Sequence, residues 1–207
     1  MSRLASLTLA MLYTACQSLA GEVAMPKPQV FRTFMPEAGP SAFAVVLTPE
    51  LVLCYDNLRG GVNQAWRGTL DLSPTLRAKI NLPATIQGAV FYAETIVQPL
   101  RMNDSRETPE RRFKGYRYEE GAVIFDYTLD GVAISETLRA MDNGRTVERM
   151  WRIGPGAGAV FFLAEAQTSA EVAFTGGSEV SPNVWRFAGD AKAGFSFGMK
   201  LKSKLPQ

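Results

Sequence analysis

The 207-residue chain contains no histidine. That absence excludes Ser-His-Asp and Cys-His nucleophilic catalysis, histidine-ligated zinc or copper, and covalent haem attachment through C-x-x-C-H. Cysteine is nearly absent as well, with only Cys16 and Cys54. Charge of one sign is lacking too: 22 Lys and Arg against 20 Asp and Glu leave +2, with no arginine-rich stripe. Nucleic-acid binding therefore has no electrostatic footprint. The basic ending "MKLKSKLPQ" reads as a solvated end. Beyond the first residues no apolar run approaches the length of a membrane span.

What is present begins with a leader. In "MSRLASLTLAMLYTACQSLAGEVA" a single Arg3 precedes an apolar run from Leu4 to Ala15, then small residues at Ser18 and Ala20. This is the pattern of a secretory signal peptide over 1–20, cut after Ala20, followed by a linker over 21–29. "YTAC" could instead be read as a lipid-anchor site at Cys16, but Tyr13 fits poorly where an aliphatic residue is wanted. The expected product is periplasmic or secreted. It retains Cys54 alone, so it has no internal disulfide, and Cys54 in "ELVLCYD" reads as a buried, inert thiol.

With 46% hydrophobic and 20% charged residues, the remainder suits one folded domain over 30–203 with a short tail at 204–207. Helical periodicity is scarce, whereas short runs rich in Val, Ile, Phe, Tyr and Thr recur between turn signals. The expected fold is all-β, an antiparallel β-sandwich of jelly-roll or supersandwich type. The clearest segment is "AVIFDYTLDGVAISETL", Ala122 to Leu138. Asp130-Gly131 reads as a type I′ turn placing Leu129 opposite Val132 and Tyr127 opposite Ile134. Phe125, Tyr127, Leu129, Val132, Ile134 and Leu138 then share an apolar face, and Asn143-Gly144 turns the chain into Thr146 to Ile153. Glu136 and Arg149 fall on that same face one diagonal step apart, which predicts a structural ion pair, because either charge buried alone would be costly. Asp71 to Leu82 reads as a loop with at most one helical turn, and Gln98 to Arg112 as a long exposed loop.

Motifs that name a reaction are missing. Asp56, Asp71, Glu94 and Asp126 could supply a glycosidase carboxylate pair, but no spacing singles two of them out. "LDLSP" and "MNDSRE" lack the alternating acids of a calcium loop, so no metal site is expected. "GPGAG" at 154–158 lacks the lysine and helix of a phosphate loop. Aromatic residues on expected strands, Trp66, Tyr92, Tyr116, Tyr118, Trp151 and Trp185, are the remaining binding chemistry, since a ring can stack on the C–H face of a sugar.

Four stretches, "VFRTFMPEAGPSAFAVVL", "LCYDNLRGGVNQAWRGTLDLSP", "IQGAVFYAE" and "RRFKGYRYEEGAVIFDYTLDGVAISETL", together resemble an uncharacterised domain of secreted bacterial proteins that carry c-type cytochrome modules, often beside sugar-dehydrogenase-like propellers. In that group a second cysteine often stands where this chain has Gly60, and a haem-binding C-x-x-C-H lies elsewhere. Both are missing here, so the resemblance implies neither a disulfide nor a haem cofactor. It implies a β-domain working near oxidative carbohydrate metabolism. Tyr55, Asp56, Trp66, Arg67, Asp71, Lys114, Tyr116 and Arg117 occupy the shared motifs and become candidate ligand residues. The expectation is an exported, non-catalytic binding or accessory domain for carbohydrate. Its rivals are a module that docks on a periplasmic redox protein, a separately encoded cytochrome or dehydrogenase, and a carboxylate-based carbohydrate enzyme.

Overall fold

The computed structural model describes residues 27–77 and 82–206. The expected signal peptide, Cys16 and most of the linker lie outside them. The described residues form antiparallel sheets packed against one another, with a single five-residue helix, α1 (Ser73–Arg77). No helix among them is long and apolar enough to cross a membrane.

The first sheet is a meander of β1 (Gln29–Arg32), β2 (Ala42–Thr48), β3 (Leu51–Asp56), β4 (Gly61–Asp71) and β5 (Thr85–Ala93). Both faces of β2 and β3 are covered, which is why "AFAVVLT" and "LVLCYD" are apolar runs rather than alternations. Phe43, Val45, Leu53 and Tyr55 face the main core, whereas Ala44, Val52, Cys54 and Trp66 face a smaller cluster under the 33–40 segment and the residues flanking α1. Thr33 Oγ1, bonded to Thr75 Oγ1 at 3.2 Å, and the Ala84 amide, donating to the Phe34 carbonyl at 2.8 Å, tie that cover down.

A second sheet follows the order β12-β15-β10-β9-β8-β7, built from β7 (Arg111–Glu119), β8 (Ala122–Leu129), β9 (Val132–Met141), β10 (Thr146–Ile153), β12 (Ala170–Thr175) and β15 (Phe195–Ser203). Leu129 pairs with Val132 and Tyr127 with Ile134, the register expected from the Asp130-Gly131 turn, whose residues have φ of 48° and 81°. Asn143 and Gly144 also turn with positive φ, and the Arg145 amide donates to the Asp142 carbonyl. A bulge at Lys114 lets β7 keep Phe113, Tyr116 and Tyr118 on the inner side.

The third sheet, in the order β13-β14-β11-β6, joins β6 (Leu100–Met102), β11 (Ala159–Leu163), β13 (Ser178–Ser181) and β14 (Val184–Ala188). Two of these strands correct the reading from sequence. β6 lies within the stretch expected to be an exposed loop, yet Leu100, Arg101 and Met102 are all buried. It is three residues long and pairs with β11, too short for alternation to register. β13 is exposed throughout, so no apolar period marks it. Leu100, Val160, Phe162 and Phe187 of this sheet enter the same core as the other two. The expected tail is part of the fold: the Lys204 amide donates to the Ser169 carbonyl, and Leu205 packs on the core.

Candidate functional site

The eight candidate ligand residues do not gather at one place. Tyr55, Asp56 and Trp66 are fully buried. Asp56 anchors the β3–β4 connection: its carboxylate accepts the amides of Gly39 at 2.6 Å, Leu58 at 2.9 Å and Arg59 at 3.2 Å. Trp66 donates its indole N–H to the Thr69 carbonyl at 3.0 Å. Arg67 lies 3.9 Å from Glu50. Asp71 accepts the amide and hydroxyl of Ser73 at the entry to α1, contacts that hold its carboxyl below the usual range. On β7, Tyr116 points inward against Phe43, Lys114 sits on the bulge, and Arg117 pairs with Asp126 on the outer face, where the Ser135 hydroxyl donates to Asp126 at 2.7 Å. These residues thus serve turns, packing and surface pairs.

Charge in the core is concentrated between the first two sheets. Glu136 and Arg149, 0% and 1% exposed, meet at 2.7 Å and 2.9 Å through Nη2 and Nε of the arginine. The other Glu136 oxygen accepts the hydroxyls of Tyr55 at 3.0 Å and Tyr127 at 3.4 Å. Arg111 donates to the Tyr55 hydroxyl at 2.7 Å and lies 3.4 Å from the centre of the Tyr127 ring. Burial, the largest influence, pushes both tyrosines above their ordinary range, so they remain donors to Glu136. Sequence reasoning reached Glu136 and Arg149 by face and register. It missed Arg111 and the role of Tyr55, because their strands lie far apart in the chain.

The four candidate carboxylates do not form a pair. Asp56 and Asp71 occupy opposite ends of the β3–β4 hairpin, Asp126 is on the outer face of the second sheet, and Glu94 is buried beyond the end of β5. Glu94 accepts the Tyr92 hydroxyl and the Ile96 amide, at 3.0 and 3.1 Å. Burial pushes its carboxyl up to about 7. Among the described residues no group of three or more acidic or cysteine side chains is placed to hold a metal ion.

Open concave chemistry lies instead at the margin of the third sheet. A groove of about 450 Å³ runs between the 164–167 connector, β12 and the β13–β14 hairpin. Phe174 and Trp185 line it with ring centres 4.7 Å apart and planes at 32°. Glu165, Gln167, Glu171, Glu179, Asn183 and Lys204 supply its polar lining. Glu165 and Gln167 are held from outside the groove, where Glu165 accepts the Thr95 amide at 2.9 Å and its hydroxyl and Gln167 donates to the Ala93 carbonyl at 2.8 Å, while within the lining Glu179 accepts the Asn183 amide at 2.7 Å. Of these residues only Trp185 stood among the aromatic candidates. Phe174 lies on β12, an alternating strand, whereas Glu165, Gln167, Glu179 and Asn183 sit on connectors and an exposed strand where no period marks them.

Comparison with protein-family models, with curated proteins and with solved structures gives no match for this chain.

Proposed function

We propose that the protein is an exported, non-catalytic accessory domain that binds carbohydrate, working beside periplasmic oxidation of sugars. The observation that carries this reading is the groove lined by the Phe174 and Trp185 rings together with Glu165, Gln167, Glu171, Glu179, Asn183 and Lys204. Rings receive the C–H face of a pyranose while carboxylate and amide groups bind its hydroxyls. The leader and the resemblance to domains of cytochrome-bearing secreted proteins supply the setting. Neutral saccharides at millimolar concentration should raise the melting temperature saturably, and Trp185→Ala should weaken that binding about three- to tenfold, from the usual worth of an aromatic contact. No saturable shift with any saccharide, or binding indifferent to Trp185→Ala, would refute the assignment.

Docking on a separately encoded redox protein is favoured by a different feature. Tyr116 and Tyr118, 40% and 53% exposed, stand 5.9 Å apart on β7, the edge strand of the second sheet. That reading predicts capture of a c-type cytochrome or dehydrogenase that Tyr118→Ser abolishes and Trp185→Ala leaves intact.

A further inference from the structure

The wall of the groove is fastened to the first sheet by one short stretch at the end of β5, and that stretch is gripped from both sides. On the groove side, Gln167 bonds the amide of Ala93 at 3.2 Å and its carbonyl at 2.8 Å, while the Glu165 carboxylate takes the amide and hydroxyl of Thr95. On the core side is Glu94, 4% exposed. Its main chain bonds Asn63 of β4 twice, with its amide donating to the Asn63 carbonyl at 2.8 Å and its carbonyl accepting the Asn63 side-chain amide at 3.2 Å.

Three ionisable groups face the Glu94 carboxyl: Tyr92 from its own strand, Arg149 from β10 and Glu165 from the connector. Tyr92 and the Ile96 amide donate to it. Arg149 is engaged by Glu136 through two bonds, and among the described residues no cation forms a salt bridge with Glu94. A buried carboxyl without a paired cation, facing a second carboxylate, is disfavoured in its charged form.

We propose that Glu94 is a proton-operated latch on the groove: protonated, it keeps the end of β5 closed on Glu165 and Gln167; ionised, it releases the 164–167 connector and widens the groove. What the latch would gate rests on the carbohydrate reading of the groove. The latch itself does not.

The sign follows from linkage. The carboxyl lies at about 7 when closed and at its ordinary 4.5 when the segment opens to water. Neutral Glu94 therefore contributes fully to closure below 4.5, and that contribution is lost as the pH rises through 7. Between pH 6 and pH 8 the opening equilibrium should rise about tenfold.

The test is amide hydrogen exchange of the whole mature chain, corrected for hydroxide catalysis, at Ala93 and Thr95, with Val45 in the main core as reference. No sugar is required, so failure of the carbohydrate reading leaves the result interpretable. Opening at Thr95 should grow about tenfold from pH 6 to pH 8 in the natural protein and stay flat in Glu94→Gln. Equal slopes in both proteins would overturn the proposal. Should Glu94→Gln fail to fold, the carbon-13 shift of the Glu94 carboxyl in the natural protein decides instead. A midpoint near 7 that falls in Glu165→Gln supports the latch, and a midpoint near 4.5 removes it.

Discussion

Removing either member of the Glu136–Arg149 pair should be far more damaging than removing both. In Glu136→Leu a guanidinium only 1% exposed loses the carboxylate that takes its Nε and Nη2. Its Nη1 already has no hydrogen-bond partner among the described residues, and the Tyr55 and Tyr127 hydroxyls lose their acceptor in the same step. In Arg149→Met the carboxylate is stranded instead, although the flexible thioether can occupy the space over the Trp151 ring, where the guanidinium sits 4.6 Å from the ring centre. Breaking one side of a buried pair costs about 3 to 5 kcal/mol, whereas replacing both partners by apolar groups is often neutral. Against a total stability of about 5 to 15 kcal/mol, either single variant should be marginal at room temperature. The double variant Glu136→Leu/Arg149→Met should recover about 2 to 4 kcal/mol relative to the sum of the singles, less than complete because the Tyr55 and Tyr127 O–H groups have lost the acceptor Glu136 supplied. Urea unfolding followed by tryptophan fluorescence measures this, with the slope against denaturant checking that all four proteins unfold alike. Additivity of the singles within about 0.5 kcal/mol would refute the reasoning, since non-interacting sites behave that way.

Two further expectations follow from close packing. The Cys54 thiol, fully buried and pushed up to about 12 chiefly by desolvation, should not react with an aromatic disulfide reagent at pH 8 while the protein is folded, and should react at once in denaturant; fast reaction in native buffer would contradict its placement under the 33–40 segment. Gly68 pairs with Gly88 across β4 and β5 at φ of 132°, and a Cβ there would overlap the Gln87 carbonyl oxygen and lie 2.8 Å from the Gly88 Cα, so Gly68→Ala should cost several kcal/mol in a urea titration, and a cost below about 1 kcal/mol would show that the hairpin can flex there.

Legibility in the sequence followed the physical strength of each signal. The Asp130-Gly131 turn was readable because positive φ at two successive positions admits few residue types, and the register of β8 against β9 came with it. That register placed Glu136 and Arg149 on one face. β6 was hidden because three residues cannot display a period, and β13 because all four of its residues are exposed. Arg111 was hidden for another reason. It reaches Tyr55 across 56 positions of sequence, and its neighbour Arg112, also arginine, points outward to Glu110. Which of the two turns inward depends on the register of β7 against β8, a fact of tertiary structure.

The same division explains why the residues singled out from sequence and the groove do not coincide. Tyr55, Asp56 and Trp66 serve as a core residue, a turn anchor and a buried indole. The groove is assembled differently. Its wall is joined to the first sheet by side chains of Glu165 and Gln167 bonding the main chain of Ala93 and Thr95, where a strand ladder would have required a complementary strand. A seam of this kind holds with few residues and opens at less expense than a ladder, since side-chain hydrogen bonds from two residues take the place of a continuous main-chain ladder. A binding site located at the seam inherits that ease of opening, and the one buried carboxyl beside it, Glu94, is the group through which pH can act on it.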